Sequence, residues 1–463
     1  MSEDDRQLKK AVIVGWDCAS PDLLFKHMLP MMPNLRRLLK RSIHGPLEST
    51  KPPVTIPAWM CMMTGCDPGQ LGLYGFRLRE PGNYDRVLIP NSKMIKQPTL
   101  WDFVNNAGGK VAVVGIPPLY PPPSLDGIVV SGFMAPDTDR TYTHPPEFSK
   151  TISDLVGDYV LDIEFRTNMK AEIRENLFSM TKKRHELVKH ILSNEAWNLF
   201  AMLEIGLDRL HHGFLSSFTD DLSSRGQESD SVFEDYYRLL DKQLGEILDL
   251  VPNDALFLLV SDHGVKEMKG AFCINQWLVE KGLLVLMKKP ESPVSFSELV
   301  VDWAKTKAWA WGGYCARIFI NIEGYEEQGT VAPEHYEEFR SQLHDALLEI
   351  RGPNGEDWNT IVDKPEDIYV EIKGNFPDLM VYFDDLNWRA AGSVGHSSIY
   401  LSDNDTGPDD AVHDWYGIYL ISDPHNIQGR VEPRGILDIA PTVLRYLGQD
   451  VPEYMTGKAI ESD

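Results

Sequence analysis

The sequence predicts an α/β fold with a central, mostly parallel sheet between layers of helices. Short apolar runs rich in β-branched residues recur along the chain, and segments with helical spacing of apolar residues lie between them. Runs without polar alternation are typical of strands buried on both faces, so we expect helices to cover the sheet.

The strands are predicted where apolar residues follow one another with few interruptions, and we expect them to be buried and parallel. They are Ala11–Val14, Val111–Gly115, Ile128–Val130, Leu199–Ile205, Leu256–Val260, Leu379–Phe383 and Ile418–Ile421.

The helices are predicted from apolar residues at helical spacing. They are Pro21–Lys40 (broken at Pro30 and Pro33), Pro98–Asn106, Leu177–Leu192, Ser231–Leu250, His335–Ile350 and Asp438–Leu447.

Two stretches fit the alternation poorly. Pro117–Tyr159 contains a proline cluster and is expected to be loop and lid, and Lys266–Thr406 combines mixed strands with many tryptophans. We therefore predict a single domain over residues 1–463, with lid or insertion segments near 117–195 and 266–406. The aromatic side chains of the second stretch are expected either to pack in a core or to stack on a base or sugar; they are Trp303, Trp309, Trp311 and Tyr314.

The charge balance limits the partners. The 463 residues include 45 Lys and Arg against 69 Asp and Glu, a formal net charge of −24. Nucleic acids and anionic membranes are negative themselves, so neither is expected as a bulk partner.

Cysteines and hydropathy suggest a location. The five cysteines are scattered without a C-x-x-C pair, which suits a reducing compartment. No signal-peptide pattern and no apolar stretch long enough for a membrane span is present in the sequence. We expect a cytoplasmic protein, and the sequence predicts nothing about its oligomeric state.

Carboxylates follow three of the predicted strands. Asp17 ends the first, Asp262 follows Leu256–Val260 and is itself followed by His263, and Asp208 comes shortly after Leu199–Ile205. Ligands of open α/β sheets bind at the carboxyl ends of strands. Taken singly, a cap on the next helix explains Asp17 as readily. For Asp262 and His263, a turn aspartate followed by an incidental histidine is the alternative.

Histidines accompany these carboxylates. Asp208 and His212 are spaced i, i+4, which places them on one helix face, close enough to share a metal. The alternative is an ordinary solvated helix face. His211 points elsewhere and is expected to be structural. His413 precedes a strand, a common position for a structural histidine. Together, three carboxylates and three histidines suffice for two zinc-type sites of three protein ligands each. Two such metals can clamp the oxygens of an in-line displacement at phosphorus.

A nucleophile is available in Lys51-Pro-Pro-Val-Thr55-Ile-Pro57. Thr55 stands where a helix N-cap is expected, with Pro57 in the first turn. A helix N-terminus favours negative charge, and metal coordination would lower the pKa of the hydroxyl. A plain capping threonine is the alternative.

The ordered set of motifs resembles the type I phosphodiesterase/nucleotide pyrophosphatase branch of the alkaline phosphatase superfamily, over nearly the whole chain. The matching segments are Val14-Gly-Trp-Asp17, Pro52-Pro-Val-Thr55-Ile-Pro-Ala-Trp59, Thr64-Gly65 with Pro68, Asp208 with His212, Ser261-Asp262-His263-Gly264, Phe272–Leu278, His413 and Leu437–Thr442. The resemblance implies a three-layer sandwich and a metal-dependent hydrolase of phosphate esters.

The family's site residues carry over position by position. The resemblance implies one metal ion held by Asp208, His212 and His413, and a second held by Asp17, Asp262, His263 and the oxygen of Thr55. Thr55 would attack phosphorus and form a covalent intermediate that water then hydrolyses. Zinc is the first choice for the two divalent ions, with manganese as the alternative.

Two departures from the family pattern bear on the substrate. Leu71 replaces a histidine that is typical of the nucleotide pyrophosphatases, and Phe76 stands where an asparagine is expected. Contacts to a small phosphate ester could instead come from nearby polar side chains, or these could be ordinary surface groups. These candidates are Arg77, Arg79, Asn91 and His396.

Several functions remain open at this stage. A phosphodiesterase acting through Thr55 is the first, and a phosphomonoesterase or phosphomutase of the same superfamily is the alternative. A non-catalytic binding protein of the same fold is a third. A sulfatase is disfavoured, because Thr55-Ile-Pro57-Ala-Trp59 lacks the Cys or Ser and the Arg that formylglycine formation requires.

Overall fold

The computed structural model describes residues 8–80, 82–223, 232–425 and 430–460. The chain divides into two compact units. The first unit comprises Met1–Asp67, Pro90–Val265 and Asp414–Asp463, and the second comprises Pro68–Ile89 and Lys266–His413.

The strands of the described residues are numbered in chain order. They are β1 (Ala11–Trp16), β2 (Ile43–Glu48), β3 (Leu78–Arg79), β4 (Val87–Leu88), β5 (Val111–Val114), β6 (Gly127–Val130), β7 (Thr143–His144), β8 (Leu199–Glu204), β9 (Leu256–Val260), β10 (Gly264–Glu267), β11 (Gly270–Cys273), β12 (Ala308–Trp311), β13 (Ala316–Ile320), β14 (Ile361–Asp363), β15 (Leu379–Tyr382), β16 (Trp388–Ala391), β17 (Tyr400–Leu401), β18 (Ala411–Asp414), β19 (Tyr416–Ser422), β20 (Arg430–Val431) and β21 (Arg434–Gly435).

The α-helices are numbered in the same way. They are α1 (Pro33–Leu39), α2 (Thr55–Thr64), α3 (Pro68–Leu71), α4 (Leu100–Asn106), α5 (Phe148–Val156), α6 (Lys170–Asn194), α7 (Gly206–Ser223), α8 (Val232–Leu250), α9 (Ile274–Glu280), α10 (Tyr336–Leu348), α11 (Pro365–Ile368) and α12 (Ile439–Tyr446). A π-helix spans Asp22–Met28, and 3₁₀ turns span Leu29–Met31, Ser92–Met94, Phe296–Glu298, Pro333–His335 and Ile436–Asp438.

The first unit is built on one large sheet with the strand order β20-β2-β19-β9-β1-β8-β5-β6-β7, and β21 also pairs with β2. The central strands β9, β1, β8, β5 and β6 run parallel. β1, β8 and β9 are buried along their whole length. The predicted mostly parallel α/β fold is therefore confirmed, and the carboxyl ends of β9, β1 and β8 lie side by side.

The direction of two predicted strands is wrong. β19, which contains Ile418–Ile421, pairs antiparallel with both β2 and β9. β15, predicted as Leu379–Phe383, belongs to a sheet of the second unit and pairs antiparallel with β13 and β14. An apolar run shows only that both faces of a strand are buried, so its direction could not be predicted.

The predicted helices form close to their expected positions. The helical run from Pro21 breaks around its prolines into a π-helix, a 3₁₀ turn and α1. Helix α5 lies inside the stretch predicted as loop and lid, which is wrong for residues 148–156. Ser231, the predicted first residue of α8, lies outside the described residues. None of the described helices combines the length and apolar composition needed to cross a bilayer.

The second unit has its own small sheets and core. β12-β13-β15-β14 form an antiparallel sheet, and β16-β11-β17 a second sheet. Trp309 is fully buried in an aromatic cluster in which Tyr84 stacks on Trp303 with ring centroids 3.7 Å apart. These tryptophans therefore pack in a core. The insertion predicted at 266–406 lies within this unit, the segment 117–195 lies within the first, and the single catalytic domain over 1–463 stays a prediction.

Candidate metal centre

Three buried carboxylates lie at the carboxyl ends of the central strands of the first unit. Asp17 follows β1, Asp262 comes two residues after β9, and Asp208 lies in the first turn of α7, directly after β8. Their exposed fractions are 0%, 0% and 2%. Because β9, β1 and β8 are neighbours, one edge of the sheet collects all three charges.

Asp17, Asp262 and His263 form a compact group of possible metal ligands. One atom of each lies within 4.8 Å of the others. Nε2 of His263 is 3.1 Å from Oδ2 of Asp262 and 3.6 Å from Oδ1 of Asp17. Two carboxylates and an imidazole around one point are a donor set that zinc and similar divalent cations prefer.

Each carboxylate of this group accepts a hydrogen bond on one oxygen and leaves the other oxygen available to a cation. The Trp59 indole N–H donates to Oδ2 of Asp17 at 2.9 Å, and the Cys18 backbone N–H donates to Oδ1 of Asp262 at 3.2 Å. The opposite oxygens, Oδ1 of Asp17 and Oδ2 of Asp262, are buried, and their neighbour Nε2 of His263 lies within ion-pair distance without forming a well-aligned hydrogen bond to either. Such atoms are expected to have a partner, and a cation fits them.

The electrostatics of the group favour a cation. Burial raises the pKa of Asp17 well above its ordinary value, and the nearby charges of Asp262 and Asp208 raise it further. Burial alone would lower the pKa of His263, but the surrounding carboxylates raise it to about 9. In the absence of metal, His263 therefore carries a proton at neutral pH, which a bound cation would displace.

Thr55 lies against this group. It is the first residue of α2, and its Oγ1 is 3.3 Å from Nε2 of His263. The prediction that Thr55 is the N-cap is wrong by one residue, because the cap position is taken by Val54 in extended conformation. Thr55 is buried and lies in the first turn of α2, the end of a helix that favours negative charge.

A second pair of candidate ligands lies on α7. Nε2 of His212 is 3.3 Å from Oδ1 of Asp208, as the i, i+4 spacing predicts, and both side chains are buried. The solvated helix face considered above is therefore wrong. His211 donates to or accepts from the Tyr237 hydroxyl at 2.9 Å, and burial lowers its pKa to about 3. These contacts place His211 in the interior of the first unit.

His413 is the last residue of the second unit, and its ring stacks on Tyr314 at 3.4 Å. The next residue, Asp414, returns to the first unit. There, a Cβ at Gly264 would lie 3.3 Å from Cβ of Asp414. The residues that follow His263 and His413 are thus close neighbours, and the predicted ligand role of His413 stays a prediction.

The predicted substrate contacts lie in varied settings. Arg77 donates to the Gly312 carbonyl at 3.3 Å, and Arg79 forms a buried ion pair with Glu326. In the 3₁₀ turn at Ser92–Met94, Asn91 is the cap and accepts from the Lys93 N–H. His396 shares a hydrogen bond of 2.8 Å with Ser393. Their contact with a substrate stays a prediction.

Trp59 and Arg209 are site residues for which no role was predicted from the sequence. Trp59 lies four residues after Thr55, so helical spacing could have placed its indole on the same face. Arg209 donates from Nη1 to Oδ2 of Asp208 at 2.6 Å. The sequence shows that Arg209 follows Asp208 directly, but no spacing rule predicts the hydrogen bonds of Arg209 to Asp162.

The chain is similar to known proteins both in its sequence profile and in its structure. A profile of the family "Type I phosphodiesterase / nucleotide pyrophosphatase" matches residues 11–409. Human ectonucleotide pyrophosphatase/phosphodiesterase 5 is 14% identical, with a TM-score of 0.57 over 98% of this chain and 97% of the other. An inactive threonine-to-alanine variant of the murine protein in complex with AMP is 13% identical, with a TM-score of 0.55 over 96% of each chain. No curated protein matches the chain by sequence.

Proposed function

The chain belongs to the type I phosphodiesterase/nucleotide pyrophosphatase family of hydrolases, and we propose that it cleaves a phosphate ester through a covalent intermediate on Thr55. The observation that carries this proposal is the position of Thr55: its Oγ1 is 3.3 Å from Nε2 of His263, beside Asp17 and Asp262. This place suits a nucleophile, because a helix N-terminus and a neighbouring metal ion would both stabilise the negative charge of the Thr55 alkoxide.

Two divalent cations are part of the proposal. One set of ligands is Asp17, Asp262 and His263 with Thr55, and the other is Asp208, His212 and His413. Bound there, divalent cations would neutralise the carboxylates, polarise the phosphoryl oxygens and lower the pKa of the Thr55 hydroxyl. Zinc is the first choice, because aspartate and histidine ligands suit it, with manganese as the alternative.

The protein's own groups define the two chemical steps. The Thr55 hydroxyl gives its proton to solvent as Oγ1 forms a bond to phosphorus, and the bond from phosphorus to the leaving group breaks. The phosphoryl group stays on Thr55, and the leaving alkoxide takes up a proton from water to become the alcohol. Water then forms a bond to phosphorus, and the bond to Oγ1 breaks and restores the hydroxyl. The first turn of α2 holds backbone N–H groups beside the negative charge that develops in both steps.

Substitution of Thr55 tests the proposal directly. We expect Thr55→Val to lose at least a thousandfold in kcat on bis-p-nitrophenyl phosphate, because the nucleophile is gone while the side-chain shape remains. Thr64→Val is the matched control: it removes a buried hydroxyl at the other end of α2 that donates to the Met60 carbonyl, and it should keep wild-type turnover per folded molecule. Equal activity of Thr55→Val and wild type would exclude the mechanism.

Two further measurements separate the alternatives. Acid-quenched enzyme should carry a phosphoryl adduct on the peptide that contains Thr55. Turnover of bis-p-nitrophenyl phosphate is compared with that of p-nitrophenyl phosphate, each with zinc and with manganese. A hundredfold preference for the monoester would reject the phosphodiesterase in favour of a phosphomonoesterase. The AMP held by the murine neighbour makes nucleotide esters natural additions to the substrate panel.

We also propose a cytoplasmic location and a small-molecule partner. The five cysteines are buried and free, which suits a reducing compartment. Cell fractionation tests this proposal, and recovery of the protein outside the cytoplasm would reject it.

A further inference from the structure

Arg209 joins a candidate metal ligand to a loop of the first unit. Its Nη1 donates to Oδ2 of Asp208 at 2.6 Å. Its Nε and Nη2 donate to the two oxygens of Asp162 at 2.8 and 2.6 Å. One guanidinium therefore bridges two carboxylates, and its contact with Asp162 is the paired, planar arrangement that an arginine, unlike a lysine, can make.

The bridge is buried at its Asp208 end and partly exposed at Asp162, whose side chain is 27% exposed. Arg209 is 8% exposed, and its guanidinium lies over the ring of Phe165 at 4.4 Å. The same ring contacts His212, with centroids 5.6 Å apart. The loop that carries Asp162 and Phe165 thus contacts Asp208 through Arg209 and contacts His212 directly. A buried contact of this kind holds its partners far more firmly than an exposed ion pair does.

The bridge determines which oxygen of Asp208 faces the site. Oδ2 is held by Arg209, and Oδ1 is the oxygen 3.3 Å from Nε2 of His212. With Oδ2 engaged, Asp208 can offer a cation one oxygen in a fixed direction. Asp162 supplies a negative charge and two acceptor oxygens to the guanidinium. Without them the guanidinium could rotate, and it would attract the Asp208 carboxylate more strongly.

We propose that Arg209 and Asp162 form a positioning pair that orients Asp208 for metal binding. The proposal rests on the proposed function in one respect, since it takes Asp208 to be a metal ligand. Neither residue is a catalytic residue: Arg209 acts through Asp208, and Asp162 acts only through Arg209. Groups that orient metal ligands commonly change metal affinity by about 10- to 100-fold when they are replaced.

Metal affinity of the purified, metal-stripped protein tests the proposal, measured by titration with Zn²⁺ alone. We expect Arg209→Ala to raise the Kd of the site that contains Asp208 by about 10- to 100-fold, so that one of the two Kd values changes, and Asp162→Asn to raise the same Kd by a smaller factor. Arg238→Ala is the matched control, because it removes an arginine that pairs with Glu234 and Asp235 on the exposed side of α8. It should leave the Kd unchanged.

The double variant Arg209→Ala/Asp162→Asn separates positioning from general loosening of the fold. If Asp162 acts only through Arg209, the double variant should have the Kd of Arg209→Ala alone. Two independent structural defects would instead raise the Kd by the product of the two single-variant factors. If Arg209→Ala does not fold, Arg209→Lys takes its place, since a lysine keeps the charge but cannot hold both carboxylates.

The outcomes are distinguishable. Two zinc sites in the wild type with Kd values unchanged in Arg209→Ala and Asp162→Asn would overturn the positioning pair and leave the proposed function standing. Multiplying effects in the double variant would overturn it as well. A wild type that binds no zinc or manganese would reject the proposed function itself.

Discussion

Replacement of Glu204 by glutamine should destabilise the protein strongly, because it leaves a buried arginine without its counter-charge. Oε1 of Glu204 accepts from Nη1 of Arg184 at 2.8 Å and from the Gly206 N–H at 2.8 Å. The side chains of Arg184 and Glu204 are 2% and 4% exposed. Gly206 begins α7, so the same carboxylate caps the helix that carries the second pair of candidate ligands.

The magnitude follows from the geometry. Two unit charges at 2.8 Å attract each other by about 6 kcal/mol at an effective dielectric constant of about 20. Glutamine keeps an oxygen that can accept the same hydrogen bonds, and it avoids the cost of burying a carboxylate. The guanidinium cannot release its proton and stays charged, so the net cost should be roughly 3–5 kcal/mol.

Thermal and urea unfolding of the metal-free proteins measures this cost. A loss of that size lowers the melting temperature by about 3–5 °C for a chain of this length. The double variant Arg184→Met/Glu204→Gln removes both charges and should be more stable than Glu204→Gln alone. A loss below about 1 kcal/mol for Glu204→Gln, or a double variant less stable than the single one, would refute the reasoning.

Three further outcomes are expected. In Gly15→Ala the new Cβ would lie 2.3 Å from the Trp59 ring. The free energy of unfolding should therefore fall by about 1–3 kcal/mol, and zinc titration should show a weaker site. Unchanged stability and zinc affinity would contradict this packing. Without metal, Asp262→Asn should unfold at the wild-type temperature or above it. Added zinc should no longer stabilise the site that includes residue 262. A large loss of stability in the metal-free variant would contradict this expectation. Burial raises the pKa of Asp378 to about 6, so the folded protein keeps a proton that the unfolded chain releases, and stability falls by roughly 3 kcal/mol as pH rises from about 4 to about 6. Asp378→Asn should remove that fall, and identical pH profiles of the two melting temperatures would contradict it.

Much of the site could be predicted because it depends on repeating geometry. Parallel strands end at one edge, so carboxylates after three neighbouring strands had to meet once the strands were correctly identified. The i, i+4 rule placed Asp208 beside His212 for a similar reason. Periodicity could not say that β19 runs antiparallel, since an apolar run has no direction.

The remainder depends on contacts between distant parts of the chain. Asp162 and Arg209 are 47 residues apart, and each alone is an ordinary charged residue. The second unit is equally hidden, because it combines Pro68–Ile89 with a stretch that begins at Lys266. Tertiary packing also decided between the alternatives for Asp17: it accepts a hydrogen bond from Trp59 instead of capping the next helix.

The carboxylates at this edge of the sheet are costly to bury without a cation, and this cost favours a cation-binding role. Asp17 and Asp262 are fully buried side by side, and the burial of Asp17 together with its negative neighbours raises its pKa. An apolar pair in the same place would stabilise the fold better. A sequence departs from the rules of stable packing mainly where function requires it. A bound cation would make the burial of the Asp17 and Asp262 charges favourable instead of costly.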